Sequence, residues 1–393
     1  MLMPYLDYNA TTPVDKPVLD IMLPWIEHEF ANPSSDYPIG KAAAKALTDA
    51  RGQLNAAVGG LHGSITFTGC GTEANNLALL GTFLPRLRGL STIKRFFGCP
   101  GHLIVSAIEH PATMQTALFL KRLGFGLTIL KVDATGFVTP HSVEKSLRSD
   151  TLLVSIMHAN NEIGSIQPIE AIAKILNPRG ILFHTDAAQT LGKIPVNVKE
   201  LGVDLLSLTG HKFYAPKGVG ALWVRQGVPL KPILFGGGQE KGLRSGTENV
   251  AFALGMAHAA ETAVQQLDTV APRLKSLRER LWQGISSSLG ERLKRTSDPD
   301  RTLPNTLHFC VRHLRGGEIL AAAGDLQAST GSACHAGVDR PSAVLCALRY
   351  PWEWSLGSIR LSLGKATTET DVDRAISLFV KAVQSLTDNR KGR

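Results

Sequence analysis

The chain has 393 residues, 38 of them glycine and 21 proline, with 44% hydrophobic and 19% charged residues. That balance excludes a disordered chain, a coiled coil and a collagen-like fibre, and the length allows two or three domains with a sizeable core. A formal charge of +9 raises nucleic acid as a partner, but much of the excess lies in residues 86–95 and 273–295. The second stretch carries Leu274, Leu277, Leu281, Ile285 and Leu289 at helical spacing, so its cations are most simply a solvated helix face. Neither stretch interleaves aromatics with basic residues, so nucleic-acid binding is not expected. No run approaches the ~18 apolar residues of a membrane span. The first residues show no secretory pattern, and a cytoplasmic location is the expectation. Five scattered cysteines without a CxxC pair suggest neither a disulfide framework nor a metal site.

In chain order, short apolar runs alternate with helical patterns. Strands are expected at 64–68, 102–106, 127–132, 151–157 and 180–184. Helices are expected at 73–87, 111–123, 140–147 and 169–176. Such β-α units require a largely parallel sheet covered on both faces. From 204 to 224 the rhythm changes to two strands close together, 204–208 and 219–224. One or two long helices follow over 249–289. Beyond Asp298, strands at 305–311 and 358–363 and a helix at 369–386 suggest a smaller α+β domain. The irregular stretch 89–101 reads as a surface insertion.

The polar residues that carry chemistry stand where strands end, the usual ligand position in open α/β sheets. Gly69–Cys70–Gly71–Thr72–Glu73 follows a strand and opens a helix, so its free N–H groups suit a phosphate, although Gly-Thr is also an ordinary cap. Asp186 and Gln189, in HTDAAQ, follow the strand at 180–184; an acidic residue there also serves as a plain helix cap. Thr209, His211 and Lys212 follow the run DLLSL. Most lysines are solvated, but one held behind a buried strand can have its pKa lowered toward an amine nucleophile. A phosphate cradle, a lysine and an aspartate separated by 26 residues are together the parts that pyridoxal phosphate requires.

Ten motifs in order then resemble the cysteine desulfurase and selenocysteine lyase family, of the class V aminotransferase-like, fold-type I group. They are LDYNATTP (6–13), NPSS (32–35), GTEANN (71–76), IEHPA (108–112), MHANNEIG (157–164), HTDAAQ (184–189), GHKFYAPKGVGAL (210–222), FGGGQEKGLRSGTEN (235–249), GSACH (331–335) and SIRLSLG (358–364). The resemblance implies an α/β fold with a large, mostly parallel sheet domain, helices on both faces, and a smaller α+β domain. Residues 1–13 would join the small domain, 14–255 would bind the cofactor, and 256–393 would carry the Cys334 loop.

The resemblance makes Lys212 the Schiff-base lysine for pyridoxal 5'-phosphate and His110 the ring stacked on the pyridine. Asp186 becomes the partner of the ring nitrogen and Gln189 that of the phenolic oxygen. Gly71, Thr72, Thr209 and His211 would hold the phosphate, with Thr247 reaching in from the second subunit of a homodimer. Asn160 and Arg360 would clamp the substrate carboxylate, assisted by Asn32.

Cys334 distinguishes the chain. A buried, inert cysteine is the commoner fate, but this one lies among small residues, Ser329 to Ala333, and precedes His335 and Gly337. It is expected to take sulfur from L-cysteine as a persulfide and pass it to an acceptor protein. The Cys-His step and FGGGQE resemble selenocysteine lyases, so L-selenocysteine stays open as the substrate. An aminotransferase or decarboxylase on the same fold would not need Cys334.

Overall fold

A computed structural model describes residues 3–89, 101–331 and 340–391. The insertion expected near 90–100, and both Cys334 and His335, lie outside the described residues. Seven strands form one sheet in the order β1-β7-β6-β5-β4-β2-β3. They are β1 Gly63–Thr68, β2 His102–Ser106, β3 Gly126–Leu130, β4 Thr151–Ser155, β5 Leu182–Asp186, β6 Leu205–Thr209 and β7 Gly220–Arg225. Only β7 runs against its neighbours β1 and β6, which accounts for the two closely spaced strands seen in the sequence. The remaining strands therefore deliver their C-terminal ends to the same edge.

Residue alternation divides the core. Ile104, Val154, Leu206 and Trp223 face one apolar cluster, while Leu103, Leu153, Leu205 and Leu222 face another. Successive side chains of a strand point to opposite faces, so apolar runs on the central strands bury both. Two helices absent from the sequence reading, Lys16–Glu27 and Pro38–Ala57, pack on the first face through Val18, Met22, Leu47 and Leu54. Both carry proline in the first turn, where a missing N–H costs nothing.

A three-stranded antiparallel sheet, β8 Leu293–Arg295, β9 Thr306–Val311 and β10 Ser358–Ser362, has the order β10-β9-β8. With the helices Leu267–Leu289 and Glu369–Lys391 it encloses a separate core around Leu281, Phe309 and Phe379. The N-terminal segment joins this core through the fully buried Leu6, with bridges from Tyr5 to Gln327 and from Asp7 to Ser362. The Val250–Gln265 helix passes unbroken through residue 255, and Ala257 and Ala260 remain in the first core.

Candidate active site

A cavity of about 270 Å³ opens at the C-terminal ends of β1, β2, β4, β5 and β6. Gly71, Thr72, His110, Asp186, Gln189, Thr209, His211 and Lys212 all line it.

The β1 end supplies a close-packed corner. A Cβ on Gly71 would lie 2.9 Å from that of Thr209, and one on Gly220 would lie 2.5 Å from the Cys70 carbonyl carbon. Glycine at both positions thus lets the Gly71–Phe83 helix start against the β6 and β7 ends. Its first amides and the exposed Thr72 then converge with Thr209 on one corner, as a phosphate group needs.

Asp186 ends β5 and is 5% exposed. Its carboxylate accepts from Asn75 Nδ2 at 2.6 Å and from the Ala188 amide at 2.9 Å. Those neutral donors hold it without cancelling its charge, and each oxygen keeps a lone pair for a cationic ring nitrogen. His110 caps the Pro111–Arg122 helix, accepting from the Ala112 amide at 3.1 Å. Burial lowers its pKa, with Asp186 opposing and Lys212 assisting, so a neutral ring faces the cavity.

Lys212 follows β6 and donates to the carbonyls of Asn9 at 2.7 Å and Ala10 at 2.6 Å. Burial, aided by the Arg360 charge and opposed by Asp7 and Asp186, pulls its pKa down to about 8. An amine so poised is neutral often enough near physiological pH to act as nucleophile and base. His211 binds the Thr11 hydroxyl at 3.1 Å, and burial plus the charges of Lys212, Lys217 and Lys193 push its pKa down to about 4. Gln189 donates to the Asn9 carbonyl at 3.0 Å.

The remaining expected residues stand apart from this lining. The Asn160 side chain is consumed by its own loop and by the neighbouring segment after β2. Its amide nitrogen donates to the Ile108 carbonyl at 3.0 Å, and its oxygen accepts from the Glu162 and Ile163 amides, each at 2.9 Å. Its neighbour Asn161 lines the cavity instead. Asn32 is exposed and accepts from the Ser34 amide, and Thr247 is exposed before the Val250–Gln265 helix; neither lines the cavity. Arg360 on β10 is 5% exposed, pairing with Asp7 at 2.6 Å and donating to the Asn161 carbonyl at 3.0 Å. Its Nε is buried without a partner, one donor open to a carboxylate.

Four residues of the site escaped the sequence reading in this capacity: Asn9, Asn75, Asn161 and Lys193. Asn9, Asn75 and Asn161 lie inside motifs singled out above. Their partners, such as Asp186 for Asn75 and Lys212 for Asn9, are 111 and 203 residues away, so spacing carried no signal of the contacts.

Residues 4–375 match the family model described as aminotransferase class-V. The chain is 43% identical over 384 residues to "Cysteine desulfurase IscS" of Dictyoglomus turgidum, covering 97% of this chain and 95% of that protein. It is 41% identical over 386 residues to "Cysteine desulfurase IscS 1" of Archaeoglobus fulgidus, covering 98% of each. Among solved structures, a "NifS-like protein" superposes with a TM-score of 0.88 at 34% identity, over 98% of this chain and all of the other.

Proposed function

Because the chain belongs to the class-V aminotransferase family, we propose that it removes sulfur from L-cysteine, yielding L-alanine and a persulfide on Cys334. The observation that carries this reading is the convergence of Lys212, Asp186, His110 and the Gly71–Thr209 corner on one cavity. Pyridoxal phosphate, when bound, supplies an aldehyde for an amine and a ring that accepts electrons from the substrate carbon beside it. Gly71, Thr72, Thr209 and His211 would hold its phosphate, His110 would cover its ring, Gln189 would meet its phenolic oxygen and Asp186 would pair with its ring nitrogen. Lys212 would hold the aldehyde group, and its amine, with a pKa lowered to about 8, would serve as the base for the substrate Cα proton. Arg360, whose Nε has no partner, would receive the substrate carboxylate.

Cys334 then attacks the substrate sulfur as a thiolate. The carbon–sulfur bond breaks with its electron pair left on carbon, which takes a proton, and a sulfur–sulfur bond forms on the enzyme. A persulfide must be unloaded, which calls for an acceptor protein bearing a nucleophile. Thr247 is exposed and lines none of its own cavity, which supports a homodimer in which it serves the partner's phosphate. Leu6 in the second core supports grouping residues 1–13 with the smaller unit, with 14–255 read as the cofactor-binding unit and 256–393 as the rest of the smaller one. Among the described residues no helix is long and apolar enough to cross a membrane, in keeping with a cytoplasmic enzyme.

The test compares alanine formation from L-cysteine and L-selenocysteine by the yellow protein, for the parent and Cys334→Ala. Loss of cysteine turnover in C334A with the cofactor retained is expected. Parental turnover of L-cysteine in C334A rules out the persulfide route, and turnover confined to L-selenocysteine assigns the chain as a selenocysteine lyase. Borohydride reduction and peptide mapping should place the cofactor on Lys212.

A further inference from the structure

Lys193 lies four residues beyond Gln189, in the turns that follow β5, and is 7% exposed. Among the described residues no carboxylate lies within ion-pair distance of it. Its Nζ instead donates to Gln189 Oε1 at 2.8 Å and reaches Asn9 Oδ1 at 3.4 Å. Burying a cation without a counter-ion is costly, and a core position without a task favours an aliphatic residue. Burial, followed by the charges of Lys212 and Arg360, lowers its pKa to about 7. The structure therefore keeps a poorly stabilised amine beside one particular amide.

An amide presents an acceptor at one end and a donor at the other, and either orientation fits the same volume. Here both ends of Gln189 are specified. The Asn9 carbonyl accepts only and requires Nε2, while Lys193, with two or three N–H donors, favours Oε1. A flipped amide would set donor against donor and oxygen against oxygen. With Oε1 turned to Lys193, the second Nε2 hydrogen is the donor left for the cavity that Gln189 lines. The same Asn9 carbonyl accepts from Lys212 Nζ, so its position is shared by the reactive amine and the amide.

We propose that Lys193 is a positioning residue: it locks the Gln189 amide with its N–H toward the cofactor's phenolic oxygen. This rests on the assignment of Gln189 made above. Lys193 is not part of the cavity lining and acts through Gln189.

The experiment is a double-mutant cycle on the reconstituted protein, using Lys193→Met, Gln189→Ala and the double variant. Two quantities are read: the dissociation constant for pyridoxal phosphate and the visible absorption maximum of the bound cofactor. K193M should weaken binding about tenfold and shift the absorption as Q189A does, and the double variant should be no worse than Q189A alone. Multiplying effects, or a silent K193M beside an effective Q189A, overturn the role of Lys193 while leaving the Gln189 assignment intact. A silent Q189A overturns both. Should K193M fail to fold, the same cycle with Lys193→Gln decides by the same criteria, since it retains a shorter donor and should recover part of the affinity when Gln189 is present.

Discussion

Glu109 precedes the cavity histidine and carries a wholly enclosed carboxyl group. Its Oε1 accepts from the Ser106 hydroxyl at 2.6 Å and the Met157 amide at 2.9 Å, while Oε2 is buried without a partner. Burial raises its pKa from 4.5 to about 8, against the pull of those two donors and with help from the Asp186 charge. The folded chain therefore holds a proton between those values that the unfolded chain has lost, and stability falls as pH rises across that window. Glu109→Gln keeps the accepting oxygen and has nothing to ionise. Its denaturation midpoint should match the parent near pH 5 and exceed it near pH 8.5; parallel profiles would show that Glu109 is ionised in the fold.

At the scale of the elements, β7 and the turn after β1 meet with no room for a side chain. The Cβ of an alanine at 220 would stand 2.5 Å from the Cys70 carbonyl carbon and 2.8 Å from the Gly71 nitrogen, and backbone cannot swing aside. Gly220→Ala should therefore cost ~1–3 kcal/mol of stability by overpacking and weaken pyridoxal phosphate binding, because the displaced atoms form the corner proposed to hold the phosphate. Gly52, inside the Pro38–Ala57 helix, has open space at its Cβ position. Gly52→Ala should instead raise stability by roughly 0.5–1 kcal/mol and leave cofactor affinity unchanged. Equal responses of the two variants in denaturation and cofactor titration would refute this account of the corner.

Across the whole molecule, the N-terminal segment couples the second core to the cavity. Leu6 is fully buried against the smaller sheet, and three residues later Asn9 offers its carbonyl to Lys212 and Gln189. The Asn9 side chain is tied to Thr306 at 2.8 Å and Asn305 at 3.0 Å, beside β9. Leu6→Ala should cost ~2–5 kcal/mol by leaving a cavity in that core. The loosened anchor should also reduce retention of pyridoxal phosphate on gel filtration. A variant with a lowered denaturation midpoint but parental cofactor retention would mean that Asn9 is held by its side-chain contacts alone.

The amino-acid sequence alone determined the alternating order of strands and helices, because apolar runs and turn residues are local signals. The 102–106 strand and the 169–176 helix agree with their expected limits to the residue. The fifth strand begins two residues later than expected, since Gly180 takes a left-handed conformation that closes the preceding turn, and it continues to Asp186. The residues lining the cavity were legible too, as Asp186, Thr209 and Lys212 stand at strand ends within extended motifs. Tertiary structure decided the partners: Asn75 for Asp186, Asn9 for Lys212, Lys193 for Gln189. It also tied the Asn160 side chain to the Ile108 carbonyl and its own loop and set Asn161 in the cavity lining. Chain folding brings these groups together across 100 residues or more in the first two cases, and the desolvation that lowers the Lys212 pKa exists only once the surrounding elements have packed.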